Sequence, residues 1–261
     1  MITRNLEKAK MAFLKKDAEA SRAAHINSSP EEHMHQKGQY IKSIVYGGLD
    51  GIITTFAVVA GVAGASLSPA IVLILGFANL VADGISMAVG DYLSTKAEKE
   101  YEQAERKREQ WEVEHYPEGE VKEMVELYME KGLSKKDAEL VISVFSKNKK
   151  AWVDIMMVEE LGIVETDESP LKNALATFLS FAFFGFVPLI AYIISQFIPW
   201  IRVHTFFIAA VLTAMTLFVM GAVKVKVTGQ KWFKSGIEML IVGGVAAAAA
   251  YAIGAALSRI V

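Results

Sequence analysis

The chain reads as an all-α membrane protein: five transmembrane helices, with a three-helix polar insert between spans two and three. Three observations carry that reading. Hydrophobic residues make up 53% of the 261 and charged residues 21%, yet the charges gather in residues 1–42 and 95–172. Five apolar segments, Ile41–Val62, Pro69–Leu93, Ala174–Phe197, Thr205–Val223 and Gly236–Leu257, each run roughly 19–25 residues, enough to cross about 30 Å of hydrocarbon as helices. A carboxylate stripe, Glu98, Glu102, Glu105, Glu109 and Glu112, then continues from the second segment at 4-3-4-3 spacing, which places the acids on one helix face.

The expected division is a polar N-terminal segment over 1–40, spans one and two over 41–94, a cytosolic metal-binding insert over 95–165, and spans three to five over 170–261. Lys and Arg set the orientation. They are plentiful before Ile41 (Arg4, Lys8, Lys10, Lys15, Lys16, Arg22, Lys37) and throughout the insert. They are absent from Gly64–Ser68, reduced to Arg202 between spans three and four, and return as Lys224, Lys226, Lys231 and Lys234. The N-terminus and the insert are therefore expected in the cytosol, and the C-terminus on the far side.

Composition also excludes. With no cysteine, disulfides and thiolate metal sites are ruled out. The first forty residues hold no long apolar run, so no cleavable signal peptide is expected. A Gly-rich phosphate loop, a Ser/His/Asp arrangement and a basic face interleaved with aromatics are all missing, which fits neither a soluble enzyme nor a nucleic-acid binder.

Residues 1–24 have helical composition, suiting an amphipathic helix on the membrane or one docked on the insert. Ser28-Ser29-Pro30 breaks that helix. His33 and His35 beside Glu31 and Glu32 offer two imidazoles without a rigid scaffold, a weak metal site. From Leu80 to Glu114 no proline intervenes, so the second span is expected to run on as one helix into the polar region. Pro117 and Gly119 mark the first turn. A second helix follows to about Glu130 and stops near Gly132. Ser134 with Asp137 caps a third, interrupted near Ser146–Lys149 and ending at Gly162.

Polar side chains inside the spans carry the chemistry. Asp50 lies in "GGLDGIITTFAVVAG"; an intramembrane carboxylate marks an ion path by default, or else a structural acid paired with Lys42 or Lys224. Gly47, Gly48 and Gly51 beside it permit close helix approach. On the second span Asn79, Asp83, Met87 and Asp91 recur every four residues. Amide, carboxylate and thioether together suit a first-row divalent ion, although Met87 alone is an ordinary packing residue.

In the insert, the Glu98–Glu112 stripe taken alone is either a solvated helix face held by Glu/Lys pairs or a cation site. Glu120 and Glu123 on the second helix, and Met156, Met157, Glu159 and Glu160 on the third, give facing helices the means to converge on metal. Only one Glu-x-x-His pair exists there, Glu112 with His115, so a redox di-iron centre is disfavoured.

At these motifs the chain resembles the vacuolar iron transporter family. The resemblance runs from about Gly38 to the C-terminus. It rests on "YGGLDGIITTFAVVAG", "ADGISMAVGDYLSTKAEKE" and the insert ending "VDIMMVEELG". It implies a homodimer in a vacuolar or bacterial plasma membrane, with divalent metal as substrate, no tightly bound cofactor, and ferrous iron exported from the cytosol in exchange for protons. It further implies Asp50 and Met87 in the path, and Glu109, Glu112, Glu120, Glu123, Met156 and Glu160 as cytosolic ligands, with Glu105 and Glu159 as extra ones. Asn79 stands where some relatives carry an acid, and Met157 at another ligand position that can be acidic. Manganese transport by the same fold, or a membrane-tethered iron sensor or store, are the competing readings.

Overall fold

The computed structural model describes residues 11–13, 15–26, 40–164, 166, 168–228 and 231–260. The Ser28-Ser29-Pro30 break and the His33/His35 pair lie outside them. The described residues hold no strand, and their labelled helices are α1 (Ala18–Ile26), α2 (Ile41–Gly64), α3 (Pro69–His115), α4 (Pro117–Glu130), α5 (Lys135–Phe145), α6 (Lys149–Glu159), α7 (Pro170–Ile194), α8 (Pro199–Thr228) and α9 (Trp232–Leu257). Five of these, α2, α3, α7, α8 and α9, are long and apolar enough to cross a membrane. Except for α3, each begins or ends within a few residues of the apolar window that announces it.

The N-terminal segment differs from a single helix over 1–24. Lys16 has φ 53°, and Asp17 caps α1 by accepting from Ala20 N at 2.9 Å. A residue in the left-handed region cannot continue a right-handed helix.

Four of the labelled helices start with proline at the first position, where a missing N–H costs nothing. The second span does run on: α3 has 47 residues, about 70 Å at 1.5 Å per residue. Its apolar half crosses the membrane, and its polar half projects beyond.

The expected third polar helix is instead two. Asn148 accepts from Ala151 N at 3.2 Å and caps a new helix, so α5 and α6 are separate rods. Ser134 caps α5 as its sequence suggests, accepting from Asp137 N at 3.2 Å. Gly132, at φ 99°, closes α4: its N–H reaches Met129 O at 3.0 Å and Leu133 N–H reaches Tyr128 O at 3.1 Å. That paired pattern needs a left-handed residue, which glycine adopts without a Cβ penalty.

Within the membrane half, α3 and α7 run antiparallel with small residues set against large ones. Gly76 lies against Leu189, Gly185 against Leu80, and Gly84 against Phe178 and Phe181. α2 also packs tightly on α7, where a Cβ on Gly51 would collide with the Phe181 carbonyl oxygen, and on α9, where one on Gly254 would collide with the Gly61 carbonyl oxygen. Phe56, Val59, Val72, Leu80, Phe181 and Leu189 form the buried core around these contacts. A second core, of Val113, Met124, Ile142, Trp152, Met156 and Met157, ties α4, α5 and α6 to the polar half of α3.

Candidate metal centre

The polar half of α3 turns Glu109 inward, where only 1% of it is exposed, and Glu112 beside it. Glu120, in the first turn of α4, is buried against them. Carboxylate oxygens of Glu109, Glu112 and Glu120 can all lie within 4.8 Å of one another. Oxygens of Glu120, Glu123 and Glu160 can do the same, so Glu120 belongs to both groups. The turn at Tyr116–Pro117 makes this possible by folding α4 back from the end of α3.

Such crowding has an electrostatic signature. Burial, together with the charges of Glu123, Glu109, Glu112 and Glu160, pushes Glu120 up to about 7. Burial likewise raises Glu160, with Glu109 and Glu123 adding to it. Glu109 is raised by burial in spite of an opposing hydrogen bond from Arg108. Its Oε2 atom is buried with no hydrogen-bond partner among the described residues. Carboxylates held this way have every reason to take up a cation or a proton.

The remaining expected residues each have contacts of their own. Glu105 is paired with Arg108 at 2.8 Å, at the edge of the cluster. Glu159 is paired with Lys131 and is in neither acid group. Met156 and Met157 are buried in the apolar core beneath α6. His115 stacks on Trp111, with ring centroids 4.5 Å apart, and is in neither group. One residue escaped the sequence reading, Arg108. It was legible as three residues after Glu105 and four before Glu112, both helical neighbour spacings.

In the membrane half, Asp50 is half-buried and makes no ion pair or side-chain hydrogen bond among the described residues. Its backbone oxygen accepts from Thr54 Oγ1 at 2.8 Å, and Thr54 Oγ1 in turn lies 3.4 Å from Asn79 Nδ2 on α3. Asp83 is the charged group whose field reaches Asp50. Met87 packs partly buried against the main core. Asp91 is engaged: its Oδ2 accepts from Ser43 at 3.0 Å and also from Thr177. Residues four apart advance about 40° around a helix, so by Asp91 the ladder has turned about 120° from Asn79. Asn79 is hydrogen-bonded to α2, and Asp91 to α2 and α7 together.

A bundle of five membrane-crossing helices, one of them prolonged into a carboxylate-lined polar unit, defines a polytopic α-helical membrane protein equipped to handle cations. Comparison with known proteins narrows the class. The model of the VIT family matches residues 41–255. The chain is 43% identical to a vacuolar iron transporter of Toxoplasma gondii, over 99% of this chain and 90% of that protein. It is 35% identical to that of Plasmodium falciparum, over 99% and 98% of the two chains. With vacuolar iron transporter 1 of Arabidopsis thaliana it shares 33% over 90% and 96%. The chain belongs to the VIT family.

Proposed function

We propose that this protein is a homodimeric transporter that carries ferrous iron out of the cytosol, across a vacuolar or plasma membrane, in exchange for protons. The observation that carries the reading is the convergence of Glu109, Glu112, Glu120, Glu123 and Glu160 on the prolongation of a membrane-crossing helix. The names of its relatives supply the ion.

In this reading the polar unit faces the cytosol, as its lysines favour, and gathers ions there. Asp50 and Met87 then receive the partly dehydrated ion, with Asn79 and Asp83 alongside. A half-buried carboxylate with no ion pair or side-chain hydrogen bond among the described residues supports that role for Asp50. Protons and metal compete for the same oxygen, so a proton arriving from the far side would release the ion.

Manganese is the second reading, favoured by a cluster whose five acids offer only hard oxygen ligands. Uptake of ferrous iron and of manganese into liposomes holding the purified protein, with and without an imposed pH gradient, tests both. Iron uptake that follows the gradient is the expected result. Equal leakage with protein-free liposomes would end the transport reading.

A further inference from the structure

Arg108 reaches three acids of the candidate metal centre at once. Its Nη2 lies 2.8 Å from Glu105 and 3.0 Å from Glu109, and its Nε lies 3.7 Å from Glu112. The contacts to Glu105 and Glu112 are ordinary helix neighbours, three and four residues away. The contact to Glu109 is not, because consecutive residues on a helix do not face each other. To make it, the guanidinium must wrap from its own half-exposed position toward the acid face. There it meets one oxygen of a carboxylate whose other oxygen is buried and unpartnered. Its charge is felt as far as Glu160, just past the end of α6.

We propose that Arg108 is the resident counter-cation of the acid cluster, and that a divalent ion binding there must displace it. The inference rests on the metal-site reading above and adds a residue that sets affinity. With no metal bound, the crowded carboxylates, of which Glu109 and Glu120 are buried, repel one another, and the guanidinium offsets part of that charge. A bound ion draws on the carboxylates of Glu109 and Glu112 and its double charge repels the guanidinium, so Arg108 swings out into solvent. Half of its side chain is already exposed, and the movement buries no new charge. The exchange keeps the cluster near constant charge and raises the free-ion concentration at which it loads. The cluster then stays unloaded at low free ion and fills only when the ion is abundant.

Both consequences of removing Arg108 have one sign. Arg108→Gln removes the competitor and the repulsive charge together, so metal should bind more tightly. A merely structural brace would give the opposite sign, since the acids would splay without it. Manganese is a convenient probe because the free ion can be counted by electron paramagnetic resonance. Full-length wild type, Glu120→Gln, Arg108→Gln and Arg108→Lys in detergent would each be titrated with it. We expect wild type to bind, Glu120→Gln to lose most binding, and Arg108→Gln to bind roughly fivefold more tightly, the scale of a partly exposed ion pair. Arg108→Lys should fall between wild type and Arg108→Gln, because a point-like ammonium cannot bridge three carboxylates. Unchanged or weaker binding by Arg108→Gln, beside a wild type that binds and a Glu120→Gln that does not, overturns the counter-cation alone. A wild type that fails to bind, or a Glu120→Gln that binds like it, overturns the metal site and this inference with it.

Discussion

Ser43 on α2 donates to Asp91 on α3 at 3.0 Å, and the acceptor, Oδ2, is also the atom that Thr177 of α7 engages. One carboxylate oxygen thus joins three membrane helices at the end where α3 leaves the bundle. One turn further along, Asn173 Nδ2 donates to Thr95 Oγ1 at 3.3 Å, repeating the α3–α7 link.

Asparagine at position 91 keeps an acceptor oxygen for both hydroxyls, whereas alanine does not. Asp91→Asn should therefore retain most thermal stability and most ion flux. Asp91→Ala should lose about 1 kcal/mol, the scale of interhelical hydrogen bonds in membranes. Unfolding in detergent and flux in liposomes measure the two. A charge-dependent role in the path would instead make Asn as damaging to flux as Ala.

Gly51 and Gly244 form a matched pair for testing helix contact. A Cβ on Gly51 would strike the backbone of Phe181, while one on Gly244 would meet nothing within 4 Å. Backbone cannot move aside as a flexible side chain can, so Gly51→Ala should cost about 1–3 kcal/mol by overpacking. Gly244→Ala should be neutral or slightly stabilising, since alanine is the better helix former. Thermal denaturation of both variants decides it.

The acid cluster ties stability to pH with a definite sign. Glu120 is held at about 7 in the folded chain against an ordinary 4.5. The folded state therefore keeps a proton that the unfolded state has already lost between those values. Metal-free stability should be fully present below about 4.5 and fall as pH rises to about 7, by at most about 3 kcal/mol. Glu120→Gln should flatten that slope. Added manganese should reverse it, since metal binding strengthens as the same carboxylates ionise. Melting temperatures at pH 5.5 and 8, with chelator and with manganese, give the comparison.

Among the described residues Asp50 has no side-chain partner to release when it is removed, so Asp50→Ala should leave the fold intact. Melting should shift by less than about 1 kcal/mol, while proton-dependent metal flux should fall to background. Flux that survives in Asp50→Ala would move the transport path elsewhere.

Much of this protein was legible in its residues because hydrophobicity and spacing act locally. Long apolar runs announced the five crossing helices, and an unbroken stretch from Leu80 to Glu114 announced the prolongation of α3. Gly132 and Ser134 declared where one polar helix stops and the next begins, since each works through its own backbone neighbours. The division of the third polar helix at Asn148 was only half visible, because a mid-sequence asparagine caps a helix or sits within one according to what surrounds it. The acids were visible as a stripe, but a stripe does not say what it meets. Tertiary folding brought Glu109, Glu112, Glu120, Glu123 and Glu160 within reach of one another, paired Glu159 with Lys131, and buried Met156 and Met157. It also turned Asp91 toward α2 and α7, and brought Arg108 onto the acids. Those outcomes depend on distances between helices far apart in the chain, which periodicity along one helix does not encode.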